Sequence, residues 1–295
     1  MKRLLMLMNP YAGTQQGKQF LTDILALFYE RGYAPLTFVS HNPGDCTKLA
    51  QEYGEQADLV VCAGGDGTLN EVLTGLIESG CQTPVGYIPC GSTNDFASSL
   101  HLSRDLLQAA RDILDGRVQL LDAGKFGDRY FSYIACFGAF TRASYATPQH
   151  MKNMLGHFAY ILEGIRDIGD LKPRHIQVVA GEHMVEGDYL FGAVCNSTSV
   201  GGLLKLDPNV VDLSDGQFEI ILLKQPSNIL ELNDCLWKLN QQRYDTPMVE
   251  FFRTDKVTFY TPDAPDWTLD GEYAPGSEKI EIVNMHHAFR LMVND

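Results

Sequence analysis

The sequence predicts an α/β fold class: an N-terminal, mostly parallel α/β domain followed by a C-terminal antiparallel β-sandwich domain. Three observations carry this reading. Up to about residue 120, short apolar runs alternate with stretches of helical periodicity, the pattern of parallel strands joined by crossover helices. Glycine-bearing loops follow the apolar runs of that half. After Asp122 the texture changes to short runs separated by turn residues, which suits an antiparallel sandwich. A length of 295 residues fits two domains at roughly 100–200 residues each, with the boundary at about Asp122–Gly124.

Lys2–Met8 reads as the first strand. Its apolar run LLMLM stops at Asn9-Pro10 with no small-residue cleavage site after it, so it is too short for the core of a secretion signal. Phe20, Leu21, Ile24, Leu25, Leu27 and Phe28 keep the spacing of one helix face. Leu36–Ser40 is a second strand, Cys46–Tyr53 a helix, and Leu59–Ala63 a buried strand running into Gly64-Gly65-Asp66-Gly67. Leu69–Glu78 is helical, Pro84–Pro89 a strand and Asp105–Leu114 a helix. In the second half, Lys125–Phe131 reads as a hairpin turning at Gly127-Asp128. His175–Ala180, Leu190–Asn196, Phe218–Leu223, Lys256–Tyr260, Lys279–Val283 and Phe289–Val293 read as strands. Met151, Met154, Leu155, Phe158, Ile161, Leu162 and Ile165 follow helical spacing, as does Ile229–Leu239. The Met151–Ile165 stripe reads as core packing before it reads as a lipid slot.

Composition narrows the function. With 45% hydrophobic residues the chain is neither disordered, nor collagen-like, nor a small disulfide scaffold. Its 23 Lys+Arg against 37 Asp+Glu, a formal charge of −14, argue against a nucleic-acid partner. No apolar run approaches the ~18 residues of a bilayer span. The seven cysteines, at positions 46, 62, 81, 90, 136, 195 and 235, include no C-x-x-C pair. They read as small core residues of a protein in the reducing cytosol.

Four glycine-bearing segments fall where strands should end: Asn9-Pro10-Tyr11-Ala12-Gly13, Gly64-Gly65-Asp66-Gly67-Thr68, Pro89-Cys90-Gly91-Ser92-Thr93-Asn94-Asp95 and Leu269-Asp270-Gly271-Glu272. Such loops, leading into helix N-termini, bring backbone N–H groups to phosphate oxygens. Thr68, Ser92 and Thr93 add hydroxyls, and Asn9, Asn70 and Asn94 add amides. Several familiar signatures are missing. Gly13-Thr14-Gln15-Gln16-Gly17-Lys18 is one residue short of a P-loop, and no H-R-D, D-F-G or early G-x-G-x-x-G occurs. The loops also carry acids, Asp66, Asp95, Asp270 and Glu272, with Asp122 at another strand end. A carboxylate beside a phosphate repels it unless a cation intervenes, so the pattern predicts Mg²⁺ on a triphosphate and phosphoryl transfer. One carboxylate is then left to take the acceptor's proton.

GGDGTLNEV, PCGSTNDFA, the opening NPYAG, CNSTSVGG with its downstream LSDGQFEI, and the late LDGE together resemble the soluble bacterial diacylglycerol kinase family, kin to the sphingosine kinases. The resemblance runs from Asn9 to about Val293. It implies a nucleotide-binding domain over residues 1–123, to which a strand at about 287–295 returns, and a lipid-binding β-sandwich over 124–286. It also implies ATP as phosphoryl donor, with contacts at Asn9, Pro10, Tyr11, Ala12, Gly13, Ser40, Gly64, Gly65, Asp66, Gly67, Thr68, Leu69, Asn70, Ser92, Asn94 and Asp95. Asp270 matches the family's general base. Glu272, Asp66, Asp95 and Asp122 match the acidic network around catalytic Mg²⁺. A second, structural Mg²⁺ would be held by Asp212, Asp215 and Gln217. Ser40 and Ser92 stand where the family often has Thr, and Tyr133 where it often has Asn.

Between Asp128 and Glu163 lie 34 residues without an acid. Arg129, Arg142, His150, Lys152 and His157 are interleaved there with Tyr145, Met151, Met154, Phe158 and Tyr160. This stretch is expected to face the membrane around the lipid entrance, since local positive charge with aromatic and Met side chains binds an interface despite a negative total. The expected protein is a cytoplasmic, peripheral lipid kinase at the inner face of the membrane, using ATP and Mg²⁺. The sequence leaves a homodimer open. Two alternatives stand beside it: a kinase for a soluble acceptor of the NAD kinase type, and a nucleotide-binding regulator without turnover.

Overall fold

A computed structural model describes residues 1–13, 15–92, 94–138, 173–200 and 204–294 of the chain. Two compact units form, Met1–Asp122 with His287–Asp295, and Ala123–His286. The helix expected over Met151–Ile165, and all of the acid-free stretch beyond residue 138, lie outside the described residues.

The first unit is a parallel sheet. Its strands are β1 (Lys2–Met8), β2 (Tyr33–Val39), β3 (Leu59–Gly64) and β4 (Val85–Pro89). β1 lies between β2 and β3, and β4 follows β3 in parallel. Leu291 of the last strand, β17 (Lys279–Val293), pairs with Val85 at the other edge of β4. Every position of β3, LVVCAG, is buried, as expected of a strand covered on both faces. The crossovers are α1 (Gln16–Glu30), α2 (Asp45–Tyr53) and α3 (Asp66–Glu78), then the short α4 (Asp95–Ser99) and α5 (Leu106–Asp115). α3 buries Thr68, Leu69, Val72, Leu73 and Leu76, the i, i+3, i+4 stripe of a helix lying on a sheet. At Gly75 an added Cβ would stand 2.3 Å from the Thr47 carbonyl oxygen, so only glycine lets α2 and α3 approach this closely. Asp105 caps α5 by accepting from the Gln108 N–H at 2.8 Å. One face of the sheet closes over Leu4, Met6, Met8, Ile24, Phe28, Leu59, Val61 and Ile88.

Register brings the glycine loops of this unit to one level. Met8 lies opposite Ala63, and Gly64 opposite Pro89. The loops after β1, β3 and β4 therefore leave one sheet edge at the carboxyl ends of adjacent strands, where open α/β sheets bind ligands.

The second unit is antiparallel. β5 (Arg117–Phe126) enters it and turns back at Gly127-Asp128 into β6 (Arg129–Phe131). β7 (Ile134–Gly138), β8 (Arg174–Ala180) and β9 (His183–Cys195) follow, then the two-residue pair β10 (Ser199–Val200) and β11 (Leu204–Lys205). β12 (Phe218–Lys224), α6 (Ile229–Asn240), β13 (Val249–Thr254), β14 (Lys256–Tyr260), β15 (Trp267–Leu269) and β16 (Glu272–Ala274) lead to β17. β9 makes the sandwich: it pairs with β8 from His183 to Tyr189, then with β7 and β12 as far as Cys195. The change of partner carries one strand across two layers. Phe131, Phe137, Tyr189, Phe218, Phe259 and Trp267 fill the space enclosed, with Trp267 packed on Phe126, Phe137 and Phe259 at centroid distances of 4.7–5.2 Å. This is the α/β-plus-sandwich class expected.

Several details differ from expectation. The strands expected at Lys279–Val283 and Phe289–Val293 are one continuous β17, in which His287 takes a left-handed φ of 52°. Ser40 lies just beyond β2, and α3 begins at Asp66 rather than Leu69. β7, β13, β15 and β16 were not expected as strands. In VEFFRT of β13 the adjacent Phe251 and Phe252 break the period-2 pattern after Val249. All seven cysteines are free thiols, and among the described residues no helix is long and apolar enough to cross a membrane.

Candidate active site: packed glycine loops and a buried carboxylate

The three loops of the first unit pack backbone against backbone. A Cβ on Gly13, whose φ is 53°, would stand 2.4 Å from the Cys90 carbonyl oxygen. One on Gly91 would meet Asn94 Oδ1 at 2.6 Å and Gly65 Cα at 2.7 Å, and one on Gly64 would meet the Thr68 side chain at 2.5 Å. The glycines thus bring the loops together, and side chains tie them. Asn9 Nδ2 donates to Thr68 Oγ1 at 3.2 Å, and Asn9 Oδ1 accepts from the Tyr11 N–H at 2.9 Å. Tyr11 is exposed, with the Lys18 ammonium 4.8 Å from its ring centroid.

Asp66 and Asn94 brace the loops internally. Asp66 accepts from the N–H groups of Asp95 (3.0 Å) and Phe96 (3.4 Å), a carboxylate on the N-terminal turn of α4. Buried Asn94, at φ 51°, donates to the Gly91 carbonyl at 2.8 Å and accepts from the Tyr87 hydroxyl at 3.3 Å. Burial, and next the charge of Asp66, holds the Tyr87 phenol well above its usual range, so it stays protonated as a donor. Ser40 donates its hydroxyl to the Met8 carbonyl at 3.3 Å. Pro10 and Leu69 are buried, so the Leu69 side chain belongs to the core. Gly67 and Asn70 are half-buried on α3, Ser92 is exposed, and Thr93 lies outside the described residues. Burial pushes the Cys62 thiol up, and the Cys90 thiol to about 11.

In the second unit, Leu269-Asp270-Gly271-Glu272 is not a loop running into a helix. Leu269 pairs with Glu272, so Asp270 and Gly271 form a two-residue hairpin turn between β15 and β16. Their φ values of 49° and 86° match the type I′ turn that Asp-Gly favours. The turn seats Asp270 beside the start of β7. Oδ2 accepts from Ser132 N–H at 2.6 Å and Ser132 Oγ–H at 2.9 Å; Oδ1 accepts from the N–H groups of Tyr133 and Ile134 at 3.0 and 3.1 Å. The Asp270 N–H in turn donates to the Ile134 carbonyl at 2.9 Å. Burial pushes the Asp270 carboxyl above the usual carboxylate range, while the donors of Ser132, Tyr133 and Ile134 pull it down. A carboxylate held this way is ordered, poorly hydrated and more basic than an exposed one, as a general base requires. Glu272 is exposed on β16.

The residues expected to hold metal separate by surroundings. Asp66 and Asp95 supply the hard oxygen donors that a hydrated Mg²⁺ takes, on loops whose amides also suit phosphate, so the donor set fits such an ion. Asp122 is buried in the first unit, and its Oδ1 accepts from the His287 N–H at 2.8 Å. The turn before β12 is different. Asp212 accepts from Ser214 N–H and Oγ–H, and Asp215 Oδ1 from the Gln217 N–H at 2.9 Å. Asp215 Oδ2 pairs with the Arg253 guanidinium, which also reaches Glu219 at 3.0 Å. The Arg253 guanidinium therefore occupies one carboxylate oxygen of Asp215, and a Mg²⁺ held by Asp212, Asp215 and Gln217 would use the other oxygens of this turn.

Sequence reasoning missed Tyr87, Ser132, Glu219 and Arg253. Tyr87 sits in an apolar strand run, and the other three act through partners on distant strands. Only Ser132 had a local signal, in that YFSYIACFG places a hydroxyl two residues before a strand.

Comparison with known proteins covers both units. Residues 3–126 match the family model described as diacylglycerol kinase catalytic domain, and residues 136–283 the one described as YegS C-terminal NAD kinase beta sandwich-like domain. The chain is 32% identical over 295 residues to a diacylglycerol kinase of Bacillus subtilis (strain 168), covering 99% of this chain and 97% of that one. It is 30% identical over 274 residues to a diacylglycerol kinase of Staphylococcus saprophyticus, covering 92% and 89%. Among solved structures, that of a diacylglycerol kinase from Bacillus anthracis str. Sterne is 19% identical and superimposes with a TM-score of 0.77, covering 99% and 97%. Another crystal structure from the same organism reaches 0.84 at 21% identity. These two establish the fold.

Proposed function

The chain belongs to the diacylglycerol kinase family, and from that premise we propose that it transfers the γ-phosphate of ATP to the free hydroxyl of diacylglycerol or a closely related lipid. The observation that carries this reading is the pairing of two features: glycine loops packed at one sheet edge, with Gly91 against Gly65, and a buried, fully hydrogen-bonded Asp270.

The first unit is proposed to hold the nucleotide. Loop N–H groups around Gly13, Gly65, Gly67 and Ser92 neutralise phosphate oxygens, and the charge that develops on them, without reorganising. Asn9 and Thr68, tied to each other, fix the loops after β1 and β3. Asp66, Asp95 and Asp122 are the residues proposed to hold Mg²⁺, which when bound would neutralise the triphosphate. Asp270 takes the proton of the acceptor hydroxyl, and Glu272, two residues on, adds negative charge beside it. A lipid acceptor places the enzyme as a peripheral protein at the cytoplasmic face of a membrane.

Incubating the purified protein with γ-labelled ATP, Mg²⁺ and a total lipid extract tests the proposal. Label in a phosphatidic acid is expected. Label in NAD or another soluble acceptor, with none in lipid, would replace the lipid reading, and ATP binding with no labelled product would make the chain a regulator.

A further inference from the structure

The geometry around Asp270 raises a question about how its base function works. A carboxylate has about four lone-pair sites, and among the described residues Asp270 meets at least four donors, two on each oxygen. An acceptor hydroxyl approaching it would be a fifth. Three of the four are backbone N–H groups that cannot turn away. Asn196 fixes that backbone, because its Nδ2 donates to the Ser132 carbonyl at 3.1 Å and its N–H to the Tyr133 carbonyl at 2.9 Å. The fourth donor, Ser132 Oγ, differs in kind. It rotates, and it both donates and accepts. Among the described residues no donor is directed at Ser132 Oγ, and Ser132 is 2% exposed, so bulk water does not fill its lone pairs.

We propose that the Ser132 hydroxyl is the proton relay of this site: it accepts the proton of the acceptor hydroxyl while passing its own to Asp270 Oδ2. This rests on the reading of the chain as a kinase with Asp270 as base. In the step, the acceptor oxygen bonds to the γ-phosphorus and the bond from that phosphorus to the β,γ-bridging oxygen breaks. ADP leaves with that electron pair. The acceptor's proton ends on Ser132 Oγ, and the original Ser132 proton on Asp270. After product release, water entering the vacated acceptor site takes one proton from Ser132, and Asp270 returns its proton to Ser132. The relay leaves all three backbone bonds to Asp270 in place, so the carboxylate need not reorganise as it becomes protonated.

The experiment is single-turnover phosphoryl transfer to diacylglycerol in mixed micelles, for wild type, Ser132→Ala, Ser132→Thr and Asp270→Asn. ATP binding and thermal melting are measured alongside. Ser132→Ala is expected to slow the step by about 100-fold with ATP affinity unchanged, and Ser132→Thr, which keeps the hydroxyl, to recover most of the rate. In mixtures of light and heavy water the wild-type rate is expected to follow a bowed curve, because two protons move together. A wild-type rate in Ser132→Ala with Asp270→Asn inactive would overturn the relay and keep Asp270 as base; full rates in both would overturn the underlying reading. If Ser132→Ala fails to fold, the wild-type solvent curve still decides, since a straight line overturns the relay.

Discussion

In the first unit the proposed nucleotide-side residues Thr68 and Asn94 lie within a few residues of Gly64 and Gly91, the glycines that shape their loops. In the second, Asp270 depends on donors 136–138 positions away in the chain. The first region is made by local conformation at strand ends, the second by strand pairing. Residues of the first are therefore recognisable from short motifs, while the Ser132–Ile134 donors that hold Asp270 become visible only once β15 is seen beside β7. The regions should also fail differently: damage to the loops should weaken nucleotide binding, and damage to the carboxylate cradle should slow the chemical step.

The largest effect is expected from Asp270→Asn. It keeps the shape of the turn but removes the base, so kcat for lipid phosphorylation should fall by about 10²–10⁴-fold. A steady-state assay with diacylglycerol checks this, and a retained rate would remove Asp270 as the base. Next is Gly91→Ala in the first region. Its Cβ would stand 2.6 Å from Asn94 Oδ1 and 2.7 Å from Gly65 Cα, an overpacking that costs about 1–3 kcal/mol. A lowered Tm and a raised KM for ATP, with kcat little changed, are the expected results.

The smallest effect concerns Glu219, which touches neither region of the proposed chemistry. Burial pushes its carboxyl to about 7 despite Arg253 beside it. The folded state therefore holds this proton more tightly than the unfolded chain, whose value is near 4.5. Stability should fall as pH rises from about 4.5 to about 7 and level off above that, by roughly 1–3 kcal/mol. Thermal melts at pH 5 and pH 8 should show that fall in wild type and a smaller one in Glu219→Gln. Equal falls in both would remove Glu219 as its source.

The same contrast explains what could be read from the sequence. The parallel half was legible because strand–helix alternation and glycine at strand ends are local signals, and the sandwich because its strands are punctuated by turn residues. LDGE was read as a fourth phosphate-type loop, although Asp-Gly between Leu269 and Glu272 is a hairpin signal; the acids drew the reading toward chemistry and away from the turn. Arg253 was invisible as the counterion of Asp215, since β13 shows no alternation and the pair joins residues 38 apart. Tyr87 looked like one more apolar strand residue, and only burial beside Asp66 and Asn94 makes it a donor.

The division of labour between the regions is tested most directly by calorimetric titration of Mg·ATP into wild type, Gly91→Ala and Asp270→Asn. Asp270→Asn should bind the nucleotide as wild type does, and Gly91→Ala at least several-fold more weakly. If Asp270→Asn loses ATP affinity while Gly91→Ala keeps it, nucleotide holding and proton removal are not divided between the two regions as described.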